Sequence, residues 1–142
     1  MDKPKLVIII GLPGSGKTIL TKINYSEYNI YDDFINNFYN GAIISNLEMN
    51  IKVCITDPRL CDYNIFKKFI NIFQKIIDKS NILLILFENN KDQCLINVKE
   101  RNKSSKNKFV EQTIANYHEK YDINNYKNYN HTIIPVYTSN II

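Results

Sequence analysis

Leu6-Val7-Ile8-Ile9-Ile10-Gly11-Leu12-Pro13-Gly14-Ser15-Gly16-Lys17-Thr18 sets five apolar residues directly before a glycine-rich turn that ends in Lys-Thr. The order reads as a buried strand, a tight loop and the start of a helix, with the spacing G-x-x-x-x-G-K-[ST]. Average residue frequencies produce that spacing by chance in roughly half a percent of chains this long. Three of the chain's four glycines, Gly11, Gly14 and Gly16, fall inside these eight loop residues, where the backbone must curl to aim successive N–H groups inward. Such a loop grips nucleotide phosphates: Lys17 brings a mobile positive charge to the β- and γ-phosphates, and the Thr18 hydroxyl is placed to coordinate Mg²⁺.

The remaining sequence alternates strand and helix patterns, which predicts an α/β fold: three layers, α/β/α, around a mainly parallel five-stranded sheet. Its 142 residues suit one domain, 1–142, with one packed core. The predicted strands after the first are 28–31, 51–56, 82–87 and 132–137. The apolar run Ile82–Phe87 reads as a central strand buried on both faces, and Pro135 suggests that the last strand lies at an edge. Between strands, Phe34, Ile35, Phe38 and Tyr39 recur at helical spacing ahead of Gly41, a plausible stop, and a short helix follows around 43–49. Asp62 and Asp92 are candidate caps for two later helices. Residues 102–108 interrupt the apolar pattern and are a candidate lid, followed by a helix through Phe109, Val110, Thr113, Ile114, Tyr117 and Tyr121.

The formal charge of +4 arises from sixteen lysines and two arginines against fourteen acids, a mild excess that suits a polyanionic ligand but equally reflects an Asn-, Ile-, Lys- and Tyr-rich composition. Cys54, Cys61 and Cys94 lack the paired spacings of a zinc site, and no charged-then-apolar leader begins the chain, so reduced thiols and a cytoplasmic setting are expected. No apolar stretch reaches the eighteen or so residues that cross a bilayer, and no membrane partner is expected. No His, Cys and Asp arrangement suggests a nucleophilic triad.

Candidate chemistry gathers at the predicted strand ends, where ligands bind in doubly wound sheets. Asp57, after the third strand, is a candidate for Mg²⁺ or its waters, or else a cap before Pro58. Asp32 and Asp33 end the second strand, where one carboxylate can take the proton of an attacking hydroxyl while the other caps. Arginine forks stabilise the charge on a transferring phosphoryl group better than lysines do. Arg101, just before the candidate lid, is placed for that role. Arg59 is a candidate for substrate phosphate or for an acid partner.

With the loop, Asp32-Asp33, Asp57-Pro58-Arg59 and Cys94-x-x-Asn97-x-x-x-Arg101 in place, the chain resembles the small P-loop kinases, in particular the polynucleotide-kinase-like and phage or giant-virus ATP-binding proteins related to nucleoside and nucleotide kinases. The resemblance implies ATP and Mg²⁺ as cofactors and action in the host cytoplasm if the source is viral. It gives Asp32 the activation of the acceptor hydroxyl and Arg101 contact with ATP phosphates; Asp33 and Arg59, by their place at the strand ends, are candidates for contact with substrate. The polynucleotide kinases carry an arginine shortly after the acidic pair, where this chain has Phe34 and Ile35, and further arginines in the lid, where it has Ser105 and Lys106. A nucleoside, a nucleotide, a polynucleotide 5′-end or another small molecule all stay open as acceptors. A nucleotide-binding module without acceptor chemistry and a simple ATPase are the alternatives, the latter disfavoured because no glutamate follows Asp57.

Overall fold

The computed structural model describes residues 3–101 and 107–138, the side chains of 107 and 108 excepted. Its order is β1 (Leu6–Ile10), α1 (Lys17–Asn24), β2 (Asn29–Asp32), α2 (Asn40–Glu48), β3 (Val53–Thr56), α3 (Tyr63–Phe73), β4 (Ile82–Phe87), α4 (Lys91–Arg101), α5 (Asn107–Lys120) and β5 (His131–Ile134), with a 3₁₀ turn at Pro58–Cys61. The five strands form one sheet in the order β2-β3-β1-β4-β5, and every pairing is parallel. The predicted fold class holds: α/β with a parallel five-stranded sheet.

β1 is buried throughout because both of its faces are covered. Leu6, Ile8 and Ile10 join the larger core with Phe34, Ile43 and Leu47, Phe66, Ile70 and Phe73 of α3, Cys94 and Val98 of α4, and Ile114 of α5. Val7 and Ile9 join a smaller core with Tyr28, Cys54, Ile85 and Phe87, against which Leu20 of α1 packs. The period-two alternation of a strand thus sends neighbouring residues into different layers, and a continuous apolar run satisfies both. Burying a side chain such as Ile8 contributes about 2 kcal/mol of transfer free energy.

The chain leaves β1 toward β2 and β3 on one side, then crosses over β1 through α3 to reach β4 and β5. This reversal opens a crevice at the carboxyl ends of the strands. Parallel register lines those ends up: Ile9 pairs with Thr56, and Thr56 with Asp32.

Several local readings change. Residues 33–38 form hydrogen-bonded turns rather than a helix, and Gly41 lies inside the first turn of α2 instead of stopping a helix. Asp62 does cap α3, accepting from the Asn64 N–H at 3.0 Å. At α4 the side-chain acceptor is Asn90, which takes the Gln93 N–H at 3.1 Å, and Asp92 falls in the first turn, where its charge favours the helix N-terminus. β5 lies at the sheet edge as expected, but it ends at Ile134. After Pro135 the chain meets the glycine-rich loop, where the Tyr137 N–H donates to the Ser15 carbonyl at 2.9 Å. Of the candidate lid, 102–106 lies outside the described residues, and the backbone of 107 and 108 belongs to α5.

Candidate functional site

The loop between β1 and α1 is shaped by what a side chain would strike. Gly14 and Gly16 have φ of 84° and 109°, in the left-handed region that favours glycine. A Cβ at Gly14 would lie 2.7 Å from the Cys94 carbonyl oxygen, and one at Gly16 2.7 Å from Tyr137 Cβ. Gly16 caps α1 without any side-chain hydrogen bond, so the first-turn N–H groups of the helix have no side-chain acceptor at the cap. Uncapped N–H groups and the helix dipole together suit an anion.

Lys17 is nearly buried, and its Nζ donates to the carbonyls of Gly11 and Leu12, each at 2.9 Å. Ser15 Oγ lies 3.5 Å away. Burial lowers the Lys17 pKa from its ordinary value, opposed by nearby groups that include Asp32 and Asp33. The ammonium rests on neutral carbonyls, and among the described residues no carboxylate lies within salt-bridge distance, a cation placed for phosphate. Cys61 and Cys94 lie within its electrostatic reach, but burial pushes their thiols up to about 12 and about 11, which keeps them protonated and unreactive.

A cleft of about 530 Å³ brings most of the predicted residues together: Pro13, Gly14, Gly16, Lys17 and Thr18 from the loop, with Asp32, Asp33, Arg59 and Arg101. Leu12 and Ser15 are buried beneath the loop surface. The two neighbouring carboxylates are held differently. Asp32 accepts from Thr56 Oγ1 at 2.6 Å through one oxygen and from Thr18 Oγ1 at 3.5 Å through the other. Asp33 leaves the strand with φ of 51° and lines the cleft. Its pKa is raised, first by burial and then by the negative charges of Asp32 and Asp57.

Asp57 is fully buried. It accepts from the Arg59 N–H at 2.9 Å, the Ile35 N–H at 3.1 Å, and Arg59 Nη1 at 3.2 and 3.3 Å on its two oxygens. A carboxylate offers about four lone-pair positions, and these contacts use them. The capping alternative describes this residue, and the side chain beside Thr18 is that of Asp32. Among the described residues no three His, Cys, Asp or Glu side chains form a group able to hold a metal. Thr18 and Asp32 place side-chain oxygens side by side, the kind of ligand that Mg²⁺, an ion that keeps few protein ligands, would need here.

Asp57 also aims Arg59. The Arg59 side chain, 38% exposed, is braced by Asp57, and its guanidinium donates from Nη2 to Asn36 Oδ1 at 3.4 Å. Arg59 therefore stands beside the loop after β2, and of its two expected contacts the acid partner is seen, in Asp57. Phe109, Val110, Thr113 and Tyr117 of α5 complete the cleft wall. Their apolar spacing gave a helix in the sequence but not which face met the cleft.

Solved structures share this parallel α/β fold. The chain is similar to a gluconokinase from Sinorhizobium meliloti 1021, with a TM-score of 0.60 at 8% identity over 97% of this chain and 86% of that one. It is also similar to a shikimate kinase from Bacteroides thetaiotaomicron, with a TM-score of 0.52 at 12% identity over 92% and 85%. These likenesses establish the fold. In sequence, the chain is 46% identical over 140 residues to a protein of Acanthamoeba polyphaga mimivirus described as "Uncharacterized protein R277", covering 96% of this chain and 99% of the relative. The chain belongs to the family of that mimivirus protein. No protein-family model matches the sequence. Among the described residues no helix is long and apolar enough to cross a membrane.

Proposed function

We propose that the protein is an ATP- and Mg²⁺-dependent phosphotransferase that moves the γ-phosphoryl group of ATP to an acceptor hydroxyl. One observation carries this reading: Lys17 and Thr18 of a phosphate-type loop share a single cleft with two carboxylates and two arginines. The loop N–H groups and Lys17 hold the ATP phosphates. Thr18 and Asp32 hold the metal, and bound Mg²⁺ supplies charge neutralisation on the β- and γ-phosphates. Asp33 takes the acceptor proton, and its raised pKa makes it a better base than an ordinary aspartate. The acceptor oxygen forms a bond to the γ-phosphorus, the bond from that phosphorus to the β-bridging oxygen breaks, and ADP leaves. Arg101 offsets charge on the transferring group, and Arg59 orients the acceptor.

The division between the carboxylates differs from the one implied by the family resemblance, which gave the acceptor hydroxyl to Asp32. The 2.6 Å bond to Thr56 and the approach to Thr18 support a metal-side role for Asp32. The polynucleotide-kinase-like grouping supplies the acceptors to try first: nucleosides, nucleotides and polynucleotide 5′-ends. The viral relative is in keeping with action in a host cytoplasm.

An acceptor screen with γ-labelled ATP tests the proposal. Label should pass to one acceptor class with the wild type. Asp33→Asn should lower the transfer rate by about 10²- to 10⁴-fold while leaving ATP affinity within about twofold. Wild-type transfer should decline as pH falls through a pKa above 3.8, because only the ionised carboxylate accepts a proton. Nucleotide binding without transfer to any acceptor identifies a binding module, and transfer surviving Asp33→Asn removes the base assignment.

A further inference from the structure

We infer that Asn97 is a positioning residue for the nucleotide site: its side-chain amide clamps the phosphate loop to α4 and to the segment after β5. The inference rests on the proposed nucleotide role of the loop, and its geometry stands on other contacts. Asn97 Nδ2 donates to the Gly14 carbonyl at 2.8 Å and to the Tyr137 carbonyl at 2.7 Å. Its Oδ1 accepts from Gln93 Nε2, one turn earlier on α4, at 2.9 Å. This network sets the amide orientation. A flipped amide would face two carbonyl oxygens with a third oxygen and turn its donors toward Gln93 Nε2.

The clamp acts on the part of the loop that must present N–H groups. In a trans peptide the C=O and the following N–H point in opposite directions. The Ser15 carbonyl accepts from the Tyr137 N–H at 2.9 Å, so the Gly16 N–H of the same peptide is turned away from that segment. Asn97 holds the preceding peptide by its Gly14 carbonyl and also holds Tyr137 itself. Two successive loop carbonyls are thus fixed outward: the Ser15 N–H of the first plane is taken by the Leu12 carbonyl at 3.1 Å, and the Gly16 N–H of the second is left for an anion-binding concavity. Without Asn97, neither the Gly14–Ser15 plane nor the Tyr137 main chain keeps its side-chain donor.

The same residue sets how α4 approaches the site. Asn97 and Arg101 are four residues apart and so lie on one face of the helix, and Arg101 lines the cleft. Val98 Cγ2 would come within 2.9 Å of a Cβ at Gly14. The helix therefore meets the loop by close packing at Gly14 and by directed hydrogen bonds at Asn97. Packing fixes the spacing; the amide fixes the loop's peptide orientation.

Two variants test the clamp. Asn97→Asp keeps the shape but places an acceptor against two carbonyls, and Asn97→Leu keeps bulk without any hydrogen bond. Each should weaken binding of MgADP, followed by calorimetry, by about tenfold or more. In hydrogen exchange, the Tyr137 and Ser15 amides, bonded to the Ser15 and Leu12 carbonyls, should exchange faster, while the Ile8 and Leu84 amides in the sheet keep their wild-type protection. In the wild type, MgADP should slow exchange at Gly16. Wild-type affinity and unchanged Tyr137 exchange in both variants would overturn the inference. So would faster exchange spread evenly over loop and sheet, the signature of a merely structural residue. A wild type that binds no MgADP overturns the nucleotide reading and the positioning role with it, whereas binding lost only in the variants, with local exchange faster, supports both.

Discussion

Two loops face each other across the cleft, and each contains two residues in the left-handed region. In the phosphate loop both are glycines, Gly14 and Gly16; in the loop after β2 they are Asp33 and Phe38, with φ of 51° and 58°. The difference lies in space. At Gly14 and Gly16 any Cβ would overlap neighbouring atoms within 2.7 Å, so backbone angle and packing both demand glycine. After β2 the Tyr39 N–H bonds to the Phe34 carbonyl and the Phe38 N–H to the Ile35 carbonyl, at 3.0 and 3.3 Å, the paired bonds that close a helix-like turn and usually place glycine where Phe38 stands. There the angle alone is demanding, for Phe38 is 91% exposed. Strain carried by a non-glycine residue is a feature of functional segments, and Asp33 sits at one end of this one.

The largest expected effect breaks the phosphate loop. Gly14→Ala combines a left-handed alanine with overlap against the Cys94 carbonyl, a backbone atom that cannot swing aside. About 3 kcal/mol of stability should be lost, from the sum of backbone strain and overpacking. Urea denaturation measures it. A loss below about 1 kcal/mol would mean that α4 yields easily, and the contrast between a space-limited and an angle-limited loop would fail.

A smaller effect sharpens the electrostatic side of the contrast. Burial lowers the Lys17 pKa below its usual 10.5 in the free protein, and phosphates bind its charged form. MgADP affinity should therefore fall as pH rises through that lowered value, by about tenfold over each further pH unit at most. The fall should vanish in Lys17→Ala, which should already bind about 10- to 100-fold more weakly at neutral pH. Stability of the free protein runs the other way. The unfolded chain holds the Lys17 proton more tightly, so this residue's destabilising contribution shrinks as pH climbs from the folded-state pKa toward 10.5. Affinity independent of pH up to 10.5 would show that Lys17 does not meet the phosphates.

What could be read from the sequence follows the same division. The phosphate loop was legible because each of its constraints is written in local residue types: an apolar run buried on both faces, glycines where no Cβ fits, and Lys-Thr at the helix start. The parallel α/β sheet was legible for the same reason, through Ile82–Phe87 and the apolar faces of α3 and α5. The loop after β2 misled, since Phe34, Ile35, Phe38 and Tyr39 match a helical period but are buried or exposed by turns that tertiary contacts impose. The bond from the Ile35 N–H to Asp57, the approach of Arg59 to Asn36 and the clamp of Asn97 on Gly14 depend on segments distant in sequence, whose meeting no local pattern encodes. Asn97 stood in the spacing that pointed to Arg101, but an asparagine one turn before an arginine carries no signal of what its amide will hold.

The smallest expected effect tests whether the acceptor-side loop carries strain at all. Phe38 has the turn geometry of a glycine position and a side chain that is almost wholly in solvent. Phe38→Gly relieves a left-handed residue at a gain of about 1–2 kcal/mol but gives the unfolded chain back about 0.5–1 kcal/mol of backbone freedom. The net should be a stabilisation of about 0.5–1 kcal/mol, or a melting temperature higher by about 2–4 °C for a domain of this size. The same change at Gly14 in reverse is destabilising, so the two loops should respond with opposite sign to exchange between glycine and a side chain. If Phe38→Gly lowers the melting temperature, the phenyl ring makes contacts that outweigh the backbone strain, and Phe38 joins Asp33 as a residue kept for what it touches. If it raises the melting temperature but slows label transfer, the strain itself holds Asp33 in place, because residues 33 and 38 close opposite ends of one hydrogen-bonded turn.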